Sequence, residues 1–303
     1  MEPLAYIGRF APSPTGPLHF GSLVCALASY LDARHHSGQW LVRIEDIDPP
    51  REIPGSTTMI LKQLESHGLL WDGDLLYQSQ RSDAYNRALA QLDNNGLTYN
   101  CDCNRQRVAE LGGIYDGHCR QRQVSGDSAV RLRLPQDKSD AIIAFDDLIM
   151  GGYQQNLASE VGDFVIKRRD GLFSYQLAVA VDDQFQNISH IVRGADLLSS
   201  TPRQLYLQRC LGASAEQLAA IQHGHQPLAV NSQGQKLSKQ NHAPALVPGH
   251  ESTNLWAALQ WLQQAPPVEL QTESKETILS WAIANWSMAS IPKIGEISAP
   301  DMA

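Results

Sequence analysis

The chain has 303 residues, 43% of them hydrophobic and 18% charged, which suits one large or two modest globular domains. No apolar run approaches the roughly 20 residues that span a bilayer, and Met1-Glu2-Pro3-Leu4-Ala5 has neither a basic segment nor a long apolar stretch, so neither a membrane nor a secreted protein is expected and the cytoplasm is the expected compartment. A net charge of −8 and a pI near 5.6 argue, taken alone, against nucleic acid.

The first strand signal is Leu4-Ala5-Tyr6-Ile7-Gly8. It runs into Arg9-Phe10-Ala11-Pro12-Ser13-Pro14-Thr15-Gly16-Pro17-Leu18-His19-Phe20-Gly21-Ser22-Leu23, where three prolines and two glycines hold the chain irregular up to Gly21. From there Leu23, Leu27, Tyr30 and Leu31 fall on one helical face. Strand, tight loop and helix follow one another, and the unpaired N–H groups of such a helix start suit a phosphate. His19 and Ser22 are placed to reach the same ligand, and Gly21 lets the backbone come close to it.

Gln39 to Glu45 reads as a second strand, ending in Asp46-Ile47-Asp48-Pro49-Pro50-Arg51. Arg43, Glu45, Asp46 and Asp48 then gather at one strand end, where open α/β sheets bind ligands. Two amphipathic helices follow. One runs from Ser56 to Gly68 with Met59, Ile60, Leu64 and Leu69 inward, the other from Arg81 to Asn95 with Tyr85, Leu89 and Leu92 inward.

Cys101-Asp102-Cys103 and Tyr115-Asp116-Gly117-His118-Cys119 bring three thiols, a phenol and an imidazole together. Zinc prefers four sulfur and nitrogen ligands, and chemistry alone makes His118 the natural fourth. Three free thiols on a loop are the alternative. Arg105, Arg107, Arg120, Arg122, Arg131 and Arg133 crowd the same stretch, either as a local basic face or as scattered solvated arginines. Cys25 and Cys210 lie in apolar helical patterns and read as core thiols. Residues 129–134 alternate with period two and Ile142 to Phe145 follow as a further strand.

A hairpin turn is expected at Asp170-Gly171. Phe173 to Asp183 reads as a strand entering a helix, and His190 to Asp196 as a strand ending in charge. Tyr175 and Arg193 thereby join Arg43 and Glu45 at strand ends. An arginine there suits a carboxylate; a pair with Asp196 is the structural alternative. Lys236-Leu237-Ser238-Lys239-Gln240 is a polar loop. Two helices, around residues 255–262 and 278–286, carry tryptophans that read as core, and the tail after Ser287 is expected to be loosely held.

In four ordered motifs the chain resembles class I aminoacyl-tRNA synthetases of the glutamyl/glutaminyl branch over residues 4–245. His19-Phe20-Gly21-Ser22 stands where that family has His-Ile-Gly-His. Arg43 to Arg51 matches its Arg-x-Glu-Asp-x-Asp-x-x-Arg. Residues 236–240 resemble its Lys-Met-Ser-Lys-Ser loop, with Leu237 and Gln240 as departures. The resemblance implies an α/β, Rossmann-type catalytic domain (1–100 and 161–245) split by a zinc-bearing, RNA-gripping insertion (101–160), with a small, mostly helical C-terminal part (246–303). It implies that ATP, carrying Mg2+, activates L-glutamate as glutamyl-adenylate. His19, Ser22 and Lys239 would be catalytic, and His19, Gly21, Ser22, Lys236 and Lys239 would bind ATP. Arg9, Phe10, Ala11, Pro12, Ser13, Glu45, Tyr175 and Arg193 would hold glutamate, with Glu45 on its ammonium. For the metal it points to Cys101, Cys103, Tyr115 and Cys119, with Tyr115 rather than His118 as the fourth ligand. The residues after Lys239 are too few for an anticodon-binding domain. That implies the short members of the family, which attach glutamate to queuosine in the anticodon loop of tRNA(Asp). A monomer is expected. A minimal synthetase charging a tRNA 3′ end and a non-catalytic RNA- or adenylate-binding paralogue are the alternatives.

Overall fold

A computed structural model describes residues 5–237, 241 and 243–300. In chain order the elements are β1 (Ile7–Phe10), α1 (Phe20–His35), β2 (Gln39–Ile44), α2 (Ser56–Ser66), β3 (Leu76–Tyr77), α3 (Ser82–Asn94), β4 (Thr98–Cys101), α4 (Arg105–Glu110), β5 (Ala129–Leu132), β6 (Ile142–Asp147), β7 (Gly151–Asn156), α5 (Leu157–Glu160), β8 (Val165–Lys167), α6 (Tyr175–Phe185), β9 (His190–Gly194), α7 (Thr201–Cys210), α8 (Ala215–Ala220), β10 (Gln222–Gln226), β11 (Leu228–Val230), α9 (Glu251–Trp261), α10 (Lys275–Asn285) and β12 (Glu296–Ser298).

Among the described residues seven strands form one sheet in the order β3-β2-β1-β9-β10-β6-β7. All its pairings are parallel except the β6–β7 hairpin. The chain leaves β1 outward through β2 and β3, then returns on the other side as β9 and β10. The strand order therefore switches between β1 and β9, and a crevice opens beyond their carboxyl ends.

Helix α1 crosses this switch point. It was expected to bury one face, yet Val24, Ala26, Ala28 and Ala33 are buried along with Leu23, Leu27, Tyr30 and Leu31. Helices α9 and α10 cover its outer side with Leu255, Leu259, Ile278 and Ala282, all in the same core. Trp261 and Trp286 are buried there too, so these tryptophans are core. The Trp286 indole donates to Asp32 on α1 at 2.9 Å. The tail after Ser287 is not loose. Strand β12 pairs with β11, and the Ser298 carbonyl accepts from the Trp261 indole at 3.0 Å.

Two other expectations are corrected. Met59 is 42% exposed, because α2 buries the Ile60–Leu64 edge and Met59 lies off it. Phe173 to Asp183 contains no long strand: Ser174 caps α6 by accepting from the Leu177 N–H, and the apolar run is a buried helix. Residues 101–160 contribute to two sheets. Strands β4, β5 and β8 make a small antiparallel sheet, whereas the β6–β7 hairpin extends the main sheet beside β10.

Helix α6 is tied to α3 by a buried carboxylate. Asp182 accepts from Gln78 Nε2 at 2.9 Å, Arg81 Nε at 2.8 Å and the Tyr85 hydroxyl at 2.6 Å. Replacing Asp182 by alanine strips three donors of their shared acceptor. It is expected to cost about 3–5 kcal/mol of stability, read as a lower urea midpoint. An unchanged midpoint would show that the carboxylate contributes nothing.

Candidate active site and metal centre

The turn after β1 is fastened by its own backbone. Pro12 and Pro14 carbonyls accept from the Glu45 and Ile53 N–H groups at 3.0 Å each, and Leu18 N–H donates to Gln63 Oε1 at 2.7 Å. The turn delivers His19 to the N-cap of α1. There His19 Nδ1 accepts from the Ser22 N–H at 3.2 Å. That bond places the proton of the neutral ring on Nε2, which makes His19 a donor for an anion. Gly21 leaves room for this: a Cβ would lie 3.3 Å from the His19 ring, a tight contact, and 3.4 Å from Ala229 Cβ. The close approach Gly21 permits is that of the His19 ring.

A cavity of about 740 Å³ opens at the switch point. Of the residues expected to bind ligand, Arg9, Phe10, Ala11, Pro12, Ser13, His19, Gly21, Ser22, Glu45, Tyr175, Arg193 and Lys236 all line it. Ser238, Lys239 and Gln240 lie outside the described residues. Lys236 forms an ion pair with Asp196 at the cavity rim. Asp196 is thus the partner of Lys236, not of Arg193.

Behind the cavity floor lies a buried charge network. Asp183 accepts from Arg9 Nε at 3.1 Å and Arg9 Nη2 at 3.2 Å, and its Oδ1 lies 2.7 Å from Arg43 Nη2. Arg43 also donates to Gln186 Oε1 at 2.8 Å and stands 3.8 Å from Glu45. Burial opposes the Asp183 charge, but the two guanidiniums win and hold its carboxyl well below the usual range. Glu45 goes the other way. Burial pushes its carboxyl up to about 7, against the pull of Arg43 and Arg9. Arg193 donates through Nε to His225 and through Nη2 to Thr201 and Gln204. Its Nη1 is buried without a hydrogen-bond partner. A buried unpaired guanidinium nitrogen on a cavity wall favours an anionic ligand, and a carboxylate beside it near neutrality favours an ammonium.

Sequence reasoning missed Asp183 and its neighbour Asp182. The available signal was two adjacent acids closing an apolar helix, a place where unpaired carboxylates are costly. It also gave no site role to Asp147 or His225, which read locally as parts of turns.

The metal candidate is a second site. The sulfurs of Cys101, Cys103 and Cys119 all lie within 4.8 Å of one another. The Tyr115 hydroxyl is 3.4 Å from Cys101 Sγ and 3.8 Å from Cys103 Sγ, and it accepts from the Cys119 N–H at 2.9 Å. His118 is exposed, and its backbone N–H donates to Asp116 Oδ1 at 3.1 Å. The donor set is soft, clustered and buried, and so fits a thiophilic ion. Arg131 braces it, donating to Cys101 Sγ at 3.1 Å with its guanidinium 3.7 Å from the Tyr115 ring centre. Other arginines of this stretch are also used internally. Arg107 pairs with Asp116, Arg120 with Asp163 and Arg122 with Asp102.

A parallel sheet opening at its switch point onto an anion-receiving helix start defines a nucleotide-binding α/β domain. Residues 7–248 match the family of tRNA synthetases class I (E and Q), catalytic domain. A glutamyl-Q tRNA(Asp) synthetase of Serratia proteamaculans (strain 568) is 50% identical over 299 residues, covering 98% of this chain and 96% of that protein. That of Shigella flexneri is 53% identical over 296 residues, covering 97% and 92%. The chain belongs to the class I (E and Q) tRNA synthetases and, within them, to the glutamyl-Q tRNA(Asp) synthetase family. The fold is also that of a glutamate-tRNA synthetase from Elizabethkingia anophelis, with a TM-score of 0.79 at 24% identity over 98% of this chain and 68% of that one. A glutamate tRNA ligase from Elizabethkingia meningosepticum, solved with its amino acid, gives 0.78 at 24% identity over 97% and 67%.

Metal analysis of the purified protein is expected to find about one thiophilic ion per chain, since one cluster of three thiols is present among the described residues. Cys101→Ser is expected to lose the ion and loosen residues 98–132. Metal-free wild-type protein of unchanged stability would contradict a structural site.

Proposed function

We propose that this chain activates L-glutamate with ATP and transfers it to queuosine in the anticodon loop of tRNA(Asp). The observation that carries this reading is likeness at about half identity, over nearly all of both chains, to proteins named for that reaction. The cavity supports the chemistry. Glu45 takes the ammonium of glutamate, while Arg193 and Arg9 face its carboxylates, with Tyr175 and the Phe10–Ser13 turn closing around it. His19, Ser22 and Gly21 at the start of α1 receive the ATP phosphates, helped by the lysines of the 236–240 loop. The glutamate α-carboxylate oxygen attacks the α-phosphorus, and the bond to the β-phosphate breaks with pyrophosphate carrying off the electron pair. A hydroxyl of the queuosine diol then attacks the carbonyl of the adenylate, AMP leaves and the hydroxyl proton is released. The protein contributes position and charge more than covalent chemistry. Mg2+ accompanies ATP and neutralises phosphate charge.

Zinc is the ion proposed for Cys101, Cys103 and Cys119, with Tyr115 as the fourth ligand. A phenol can serve because an adjacent cation lowers its pKa from about 10. The zinc holds the β4–β5 region, which we propose as part of the RNA-gripping surface. No helix among the described residues is long and apolar enough to cross a membrane. We also propose a monomer acting in the cytoplasm.

The test is incorporation of labelled glutamate into tRNA(Asp), with and without queuosine, using tRNA that lacks its 3′ adenosine as the control. Incorporation is expected to require queuosine and to survive loss of the 3′ adenosine. Incorporation that needs the 3′ adenosine would establish a minimal 3′-end synthetase instead, and the absence of glutamate-dependent pyrophosphate–ATP exchange would establish a non-catalytic paralogue.

A further inference from the structure

Behind the cavity, Asp147 and His225 take no direct part in the reaction proposed above, yet a buried chain of hydrogen bonds joins them to Arg193. It begins at Asp147, at the end of β6, and runs through His225 on β10 to Arg193 on β9. The Asp147 and His225 side chains are fully buried. His225 Nδ1 lies 2.6 Å from Asp147 Oδ2, and Arg193 Nε lies 3.0 Å from His225 Nε2.

Proton bookkeeping fixes the state of each member. Asp147 Oδ1 accepts the N–H groups of His225 at 3.0 Å, Ile149 at 3.0 Å and Met150 at 2.8 Å. Those bonds hold the carboxylate rigidly in the β6–β7 turn. Its other oxygen then requires a proton on His225 Nδ1, and a neutral imidazole protonated there presents a bare lone pair at Nε2. The Arg193 Nε–H has only donors to offer, so it needs that lone pair. The Nη2 hydrogens go to Thr201 Oγ1 and Gln204 Oε1, each at 2.8 Å. With Nε and Nη2 engaged, the flat guanidinium is fixed in plane, and Nη1, buried without a partner, is the nitrogen left for a ligand. Burial keeps His225 neutral, which agrees with this arrangement.

We infer that Asp147 and His225 are positioning residues for glutamate binding: Asp147 selects the His225 tautomer, and that tautomer holds Arg193 with Nη1 turned to the substrate carboxylate. The inference rests on the reading that Arg193 binds glutamate. It also assigns a role to the β6–β7 hairpin, whose turn reaches the amino-acid pocket through the main sheet.

The experiment is glutamate-dependent pyrophosphate–ATP exchange by full-length variants, with circular dichroism to establish folding and 15N spectra of histidine to report the tautomer. Asp147→Asn keeps the shape but offers an amide N–H to Nδ1. The imidazole proton is then driven to Nε2, where it opposes the Arg193 N–H. The KM for glutamate is expected to rise about tenfold or more, with the KM for ATP changed less than threefold and the 15N signature switched from Nδ1–H to Nε2–H. His225→Leu is expected to raise the glutamate KM similarly. His225→Gln, whose amide oxygen can accept near the Nε2 position, is expected to recover most of it. Arg193→Gln serves as the control for the underlying reading. If it leaves the glutamate KM unchanged, Arg193 does not bind glutamate and the pocket assignment fails. If it raises that KM while folded Asp147→Asn and His225→Leu do not, the positioning role alone is overturned. A loss confined to kcat, with KM unmoved and no rescue by glutamine, would also overturn it, because that pattern marks a merely structural pair.

Discussion

Asp183 sits between two guanidiniums where water does not reach, and the site is built around that contact. Arg9 comes from the end of β1, Arg43 from β2 and Asp183 from α6, so one carboxylate joins three elements at the point where the strand order switches. A buried ion pair is tolerable only with good geometry and further hydrogen bonds. Here Arg9 gives two donors, and Arg43 adds an ion pair while bonding separately to Gln186. With those partners the charges are locked, and the chain ends that bear Phe10, Ala11 and Glu45 are locked with them.

The same network sets what the cavity accepts. Arg9, Arg193 and Glu45 line the floor, and Arg43 and Asp183 are buried behind them, three guanidiniums against two carboxylates. With Glu45 ionised, one positive charge is left over. An amino acid with an acidic side chain carries two carboxylates and one ammonium, and so balances it. Glu45, poised near 7 by burial, is drawn to its charged form when an ammonium arrives. In the proposed reading the phosphate end is served differently, by a helix start and a histidine whose tautomer its own helix dictates. On that reading charge balance governs the amino-acid end of the cavity, and oriented N–H groups the nucleotide end.

What the sequence made legible was local. Arg9 to Leu23 contains its own loop, cap and helix start, so the placing of His19, Gly21 and Ser22 follows from neighbours in the chain. Glu45 and Arg193 were readable because residues that end strands meet beyond a parallel sheet. The missed residues act across distance. Asp147 and His225 are 78 positions apart, and only the β6–β10 pairing brings them together. Asp183 lies 174 positions from Arg9. The buried helix α6 was read partly as a strand because an apolar run looks the same in either state. The tail appeared loose because three residues of edge pairing with β11 leave no pattern of their own.

Calorimetric titration with L-glutamate and with L-glutamine tests the charge-balance account most directly. The two ligands differ by one charge and almost nothing in shape. The account predicts glutamate binding, and glutamine binding weaker by about a hundredfold or more, because the amide leaves a buried guanidinium uncompensated. Glutamine binding within a few-fold of glutamate would show that the excess positive charge of the floor does not select the ligand, and would contradict the account.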